Sequence, residues 1–246
     1  MRVLALCLCL LFAGIASGHA ADALSPGQTK AVEKIVHDYL VAHPEVLIEA
    51  IQAAEDKDKA NKEASAADAI RARHDDLYNA PAAQIGGNPK GDVTIVEFFD
   101  YRCPYCKQVQ PSIESLLAGD RNLRIVYREF PILGAPSVYA SKMALAARAQ
   151  GKYMAFHRAM MDTKGNIDDG VVNQVAGSVG LDVAKAKTEM EKPEIEATIK
   201  KEYALADALN ISGTPAFIVA GKLIPGAISI DDLKALIATA RANHAG

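Results

Sequence analysis

Thr94-Ile95-Val96-Glu97-Phe98-Phe99-Asp100-Tyr101-Arg102-Cys103-Pro104-Tyr105-Cys106 decides how the rest of the chain reads. The apolar run Val93 to Phe99 has the length and composition of a strand buried on both faces of a parallel sheet. The residues after Cys103 are compatible with a helix, so the two cysteines fall at a strand-to-helix junction. A Cys-x-x-Cys pair in that position is redox chemistry far more often than architecture. The chain has 4 cysteines. The other two, Cys7 and Cys9, lie in an N-terminal segment expected to be removed, which leaves two thiols in one motif.

Cysteines three apart on a helix face the same side at a separation close to what a disulfide needs. Pro104 refines the geometry: it biases Cys103 out of the helical region and itself suits the first helical position. The Cys103 sulfur is then expected at the positive end of the helix, where free N–H groups and the dipole favour thiolate over thiol. Cys103 is therefore expected to attack, and Cys106, one turn inside, to resolve. Exchange proceeds through a mixed disulfide, with the pair serving as its own redox group and no separate cofactor. Two such thiolates also suit Cu(I), and a Cu(I)-binding protein of copper stress is the competing class. A closed zinc site wants four ligands, and no second pair accompanies the first.

Glu97 interrupts the apolar strand six residues before Cys103. Buried, it would have a raised pKa and could relay the proton that Cys106 must lose or gain. At a strand end it would instead reach solvent or pair with a lysine. Tyr105 contacts substrate or tunes the thiolate, or as an exposed tyrosine does neither. Arg102 and Lys107 add positive charge nearby or are ordinary solvated surface. Met154, Phe156, Met160 and Met161 read as helical core, and His157 as a satisfied polar group.

The first twenty residues have the parts of an export signal: Met1-Arg2, an apolar core from Val3 to Ile15, and Ala16-Ser17-Gly18-His19-Ala20 with small residues for cleavage near Ala20. The apolar stretch is too short to span a bilayer. Export points to the periplasm, an oxidising compartment in which an exposed dithiol suits work on other proteins better than bracing its own fold. The formal net charge of −3 gives no reason to expect nucleic acid or an anionic membrane as partner.

Composition changes near residue 80. Ser25-Pro26-Gly27-Gln28 reads as a capping box with proline at the first helical position, and Val32, Ile35, Val36, Tyr39 and Leu40 recur at helical spacing. His43-Pro44 should interrupt this helix before a second apolar cluster at Val46, Leu47, Ile48 and Ile51. Glu55 to Arg73 has Ile70 as its sole large aliphatic and reads as a solvated helix or flexible connector. So small a helix pair cannot bury its apolar face alone: it must dock on the main domain or on copies of itself, and the long polar spacer favours self-association through residues 25–54. From Ala82 onward the order is strand, helix, strand, helical insert, strand, strand, helix. The last two strands are expected as a hairpin turning at Gly221-Lys222, and Ser229-Ile230-Asp231-Asp232 starts the final helix.

Phe98 through Cys106, together with Gly213-Thr214-Pro215-Ala216-Phe217, resembles the DsbA-like branch of the thioredoxin superfamily, from Ala82 to the C-terminus. The resemblance implies an α/β thioredoxin fold with an inserted helical domain, preceded by an N-terminal helical extension. Residues 1–20 would be the signal, 21–79 the helical segment and linker, and 80–246 the catalytic domain with its insertion at about 135–209. It also implies that Gly213, Thr214 and Pro215 form a cis-proline loop facing the dithiol, with the Thr214 backbone bonding an extended substrate peptide. Dedicated oxidases of this family more often carry valine where Thr214 stands. Threonine there, with Pro104-Tyr105 between the cysteines, points to a disulfide isomerase or reductase, the alternative being an oxidase. The segment from Ser25 to Ile51 is similar to the oligomerising extension of ScsC-type periplasmic proteins. The partners so implied are unfolded or misoxidised exported proteins, further copies of the chain, and a membrane thiol-redox partner. A holdase chaperone with secondary thiols is the third class.

Overall fold

A computed structural model describes residues 24–244. The expected signal, its cleavage near Ala20, and Cys7 and Cys9 lie outside the described residues. The chain divides into one compact unit up to Lys57 and another from Asp58 onward.

In the first unit, α1 (Pro26–Ala42) opens on the expected capping box, with Gln28 N donating to Ser25 Oγ at 3.4 Å and Ser25 N to Gln28 Oε1 at 2.9 Å. It stops at His43, and α2 (Pro44–Ala72) begins with a proline at its own first position. Val32, Ile35, Val36, Tyr39, Ile48 and Ile51 are all exposed in the single chain, Ile35 at 67 %.

The second unit is built on a five-stranded sheet in the order β1-β3-β2-β4-β5, comprising β1 (Ile85–Gly87), β2 (Val93–Phe99), β3 (Leu123–Glu129), β4 (Ala216–Val219) and β5 (Lys222–Pro225). β2 runs parallel to β3 through the crossover helix α4 (Pro104–Gly119), and antiparallel to β4. Between β3 and β4 lies the helical insert: α5 (Ala135–Ala147), α6 (Tyr153–Asp162), α7 (Asp169–Ser178), α8 (Val183–Met190) and α9 (Pro193–Ala208). The β4–β5 hairpin turns one residue earlier than the sequence reading placed it. Ala220 and Gly221 occupy the left-handed region at φ 52° and 73°, as a two-residue turn between right-twisted strands requires, and Lys222 already belongs to β5.

Because side chains alternate along a strand, the central strands deliver two cores. Val93, Ile95 and Phe99 of β2 pack with Leu123, Ile125 and Tyr127 of β3 and with Cys106, Val109 and Ile113 of α4. The final helix α10 (Ile230–His244) covers the same cluster through Leu233 and Ile237. Val96, Phe98 and Val126 face the other way, onto Leu205 and Leu209 at the end of α9.

Ile70 and Leu77 belong to that second core. The packed unit therefore reaches back well before the change of composition near residue 80. The last turns of α2 bury Ala66 and Ile70, the short α3 (His74–Tyr78) buries Leu77, and Arg128 donates to the carbonyls of Asp76 and Leu77. A polar spacer hides this role because only one residue per helical turn has to be apolar.

Candidate functional site: a dithiol against the Thr214-Pro215 loop

Pro104 acts as its chemistry requires. Cys103 is the N-cap of α4 with extended backbone (φ −74°, ψ 118°), Pro104 is the first helical residue, and Cys106 lies inside the first turn. The Thr214-Pro215 peptide bond is cis, and the Cys103 thiol lies 3.1 Å from the Thr214 carbonyl oxygen, to which it donates. Gly213, Thr214 and Pro215 thus meet the dithiol across 111 residues of sequence. Pro215 O accepts from Gly226 N at 2.8 Å, which ties the loop to the end of the hairpin. Both cysteines are free thiols. They are less open than the sequence reading assumed. Cys103 is 4 % exposed, Cys106 is fully buried, and Tyr105 between them is 59 % exposed. The cause is that the capping residue folds back onto the proline loop.

Electrostatics separate the two sulfurs. Cys103 is brought down to about 5, first by a hydrogen bond from the Cys106 thiol, against the cost of burial. The Thr214 side chain and the N–H groups of Cys106 and Tyr105 then add to the lowering. The partner thiol thus outweighs the helix-end amides to which the sequence reading gave the main part. The Thr214 carbonyl favours the neutral thiol, but the donors prevail. Cys106 is pushed far up by burial, by its bond to Cys103 and by the charge on Glu97. One sulfur is a thiolate at neutral pH while the other keeps its proton.

Glu97 projects from β2 toward the dithiol side, sharing strand parity with Ile95 and Phe99. It is completely buried, and neither carboxylate oxygen has a hydrogen-bond partner among the described residues. No lysine among the described residues pairs with it. Burial, with a smaller contribution from the Cys103 charge, raises it to about 8.

Several residues that hold this geometry were not singled out in the sequence. Asp100 Oδ1 accepts from Arg102 N at 2.7 Å and Ser137 Oγ at 2.8 Å, its Oδ2 accepts from Leu133 N at 3.0 Å, and its carbonyl accepts from Cys103 N at 3.0 Å. The loop before the dithiol is thereby pinned to the start of the helical insert. Glu129, raised to about 8 by burial, accepts from Tyr101 (3.2 Å), Tyr153 (2.8 Å) and Ser141 (2.7 Å). The one signal that could have found Glu129 is a carboxylate closing a strand with an apolar centre, and that signal is weak. His157 is half satisfied. Its Nδ1 lies 3.2 Å from the Tyr101 hydroxyl, its Nε2 has no partner among the described residues, and burial holds it near 3, hence neutral. Met160, Met161 and Phe156 are core, as expected, and Met154 packs partly buried against them. Arg102 donates to Leu133 O at 2.6 Å, and Lys107 Nζ donates to the carbonyls of Met160 (2.5 Å) and Met161 (3.2 Å).

A parallel-centred sheet with a helical insert, a helix-capping cysteine and a facing cis-proline loop defines a dithiol protein of the thioredoxin class. The chain belongs to the DSBA-like thioredoxin domain family, whose model matches residues 94–238. Residues 28–61 match the copper resistance protein ScsC N-terminal domain. A thioredoxin-like oxidoreductase from Silicibacter pomeroyi DSS-3 is 46 % identical, with 68 % of this chain and 97 % of that one covered at a TM-score of 0.66. ScsC of Proteus mirabilis in a transitional conformation is 30 % identical over 89 % of this chain and 100 % of its own, at a TM-score of 0.65. The thiol:disulfide interchange protein DsbA of Bordetella parapertussis is 28 % identical over 162 residues, 58 % of this chain and 77 % of that protein. The chain also matches a Na(+)/H(+) antiporter of Salinispora arenicola, but spans only 24 % of its length. No described helix is long and apolar enough to cross a membrane.

Proposed function

We propose that this protein carries out thiol:disulfide exchange on exported proteins in the periplasm, as an isomerase or reductase of misoxidised clients. The observation that carries the reading is the division of labour in the dithiol: Cys103 is held as a thiolate near pH 5 and above, against Thr214, while Cys106 stays protonated beside it. The Cys103 thiolate attacks one sulfur of a client disulfide, and the other leaves as the client's thiolate. A further client thiolate can then attack the mixed disulfide, forming a new client disulfide and releasing Cys103, with no net redox change. Alternatively Cys106 gives up its proton and attacks Cys103, which reduces the client and oxidises the pair. Glu97, raised to about 8, is the proton carrier for Cys106, because a group that titrates near the working pH is available in both forms. Tyr105 is the exposed contact beside the nucleophile, and Gly213, Thr214 and Pro215 present backbone to an extended client. A membrane thiol-redox partner resets the pair.

Residues 25–54 assemble copies of the chain. The match to the ScsC N-terminal domain and the exposed row of Val32, Ile35, Val36, Tyr39, Ile48 and Ile51 support this. Several reduced sites around one client gain from effective concentration, and crowding them together keeps an oxidising partner away.

The test compares the mature chain with a chain starting at Asp58, which keeps Ile70, Leu77 and the acceptors of Arg128; a start at Ala80 would strip them from the core. Mass in solution and rescue of a scrambled-disulfide substrate are measured. The parent should be oligomeric and reshuffle efficiently, the shortened chain monomeric and poor at it, and Cys103→Ser inactive in either. Equal reshuffling by the shortened monomer would show that the extension is not needed for isomerisation, and a parent that oxidises reduced clients without rescuing scrambled ones would transfer the reading to an oxidase.

A further inference from the structure

Alongside the dithiol helix lies a cavity of ≈ 480 Å³. One wall is Arg102, Pro104, Lys107 and Pro111, and the other is the segment from Met161 to Ile167 that comes after α6. Cys103, Lys107 and Pro111 are spaced by four, so the cavity runs along the stripe of α4 that begins at the nucleophile. The Gly213–Pro215 loop takes no part in its lining, which separates it from the surface where the client backbone pairs.

Its charges are unbalanced. Arg102, Lys107 and the exposed Lys164 face a single carboxylate, that of Asp162. An ammonium has three donors, and Lys107 spends two of them on the neutral carbonyls at the end of α6. No carboxylate lies within ion-pairing distance of Lys107 among the described residues, and Asp162 acts on it only from further away. Burial accordingly brings Lys107 down to about 8, so it carries its charge at neutral pH and is short of an anion.

We infer that this cavity is a subsite for a carboxylate of the client, an aspartate or glutamate side chain within two residues of the cysteine under attack, with Lys107 and Lys164 as counter-charges. The inference rests on the exchange reading above and names a client class for it. A carboxylate beside a client cysteine repels the Cys103 thiolate and raises the client thiol's own pKa, so such disulfides resist attack. Lys107, one turn along that stripe of α4, and Lys164, on the facing segment, remove that repulsion where the client chain must pass.

The test uses the full reduced protein and disulfide-bonded peptides carrying Glu, Gln or Lys at each of the two positions on either side of the cysteine, with attack monitored by stopped flow. At one of these positions Glu should react about fivefold faster than Gln at low ionic strength, with Lys slowest, and the preference should shrink as salt rises. In Lys164→Glu and in Lys107→Met the Glu-to-Gln ratio within the same variant should fall toward one. The Cys103 titration is recorded alongside, so that a changed thiolate fraction is not read as lost selectivity. Glutathione disulfide and its methyl esters form a second arm; charge preference confined to glutathione would overturn the assignment to clients. Equal Glu and Gln rates at all positions would overturn the subsite while leaving exchange in place. Failure to react with any peptide would instead remove the exchange reading.

Discussion

Glu97 on β2 and Glu129 on β3 are both completely buried, both raised to about 8 by burial, and provided for in opposite ways. Glu129 lies in register with Phe99, where Tyr101, Tyr153 and Ser141 supply it with three hydroxyl donors. Glu97, two residues back on the neighbouring strand, has none among the described residues. A buried carboxyl surrounded by donors is a joint: it binds the residues just past β2 to the helical insert. A buried carboxyl without partners costs stability and leaves its proton unshared, which is what the proposed relay to Cys106 requires. The second lies on the dithiol side and feels the Cys103 charge.

The contrast breaks first, and most heavily, if Glu129 can be removed cheaply. Glu129→Ala strands three buried hydroxyls, and unfolding in denaturant should show a loss of about 3–5 kcal/mol. Glu97→Gln should move the other way, with a gain of about 1–3 kcal/mol at neutral pH. The sign comes from linkage. A carboxyl whose folded pKa lies above its unfolded value takes up a proton on folding, so its contribution falls as pH rises from about 4.5 to about 8 and is flat beyond. Glu97→Gln should flatten part of that slope, leaving the part due to Glu129. The same variant should slow the Cys106 step by about tenfold or more, seen as a longer-lived mixed disulfide, while the initial attack by Cys103 is spared. A Glu97→Gln protein that is destabilised and exchanges normally would make the two carboxyls equivalent and end the comparison.

A smaller effect sharpens it from the sulfur side. With Cys103 near 5 and Cys106 protonated throughout, the reduction potential should fall by about 60 mV per pH unit below pH 5 and about 30 mV above, because one proton fewer accompanies the two electrons. In the reduced form the Cys103 thiolate contributes stability that is fully present above about 9 and is lost as pH falls through about 5. The melting temperature of the reduced protein should therefore rise relative to the oxidised one from pH 5 upward. Thr214→Val removes one of the donors that lower Cys103, and thiolate absorbance should show its titration moved upward. An unmoved titration would assign the lowering wholly to Cys106 and the backbone.

Much of this was legible in one dimension because the signals are local. Apolar runs marked β2 and β3, the proline after Cys103 fixed a helix start, and Ser25 to Gln28 spelled out a cap. Glu97 stood out because it is the sole charge in its strand. Glu129 did not, because it sits next to Arg128 at the end of β3, where charge is ordinary. Its burial depends on the insert closing over that strand end. Ile70 and Leu77 were masked for a similar reason: one apolar residue per turn is invisible in a charged helix until something packs on it.

By itself, then, the sequence determined the order of elements, the place of the dithiol and which cysteine caps the helix, since these depend on residue type and spacing over a few positions. Only the tertiary structure decided that the Cys106 thiol does most to lower Cys103, that Thr214 stands against it, and that one buried glutamate has partners and the other none. Those are matters of desolvation and of contacts between segments as much as 111 residues apart, which neither composition nor periodicity encodes.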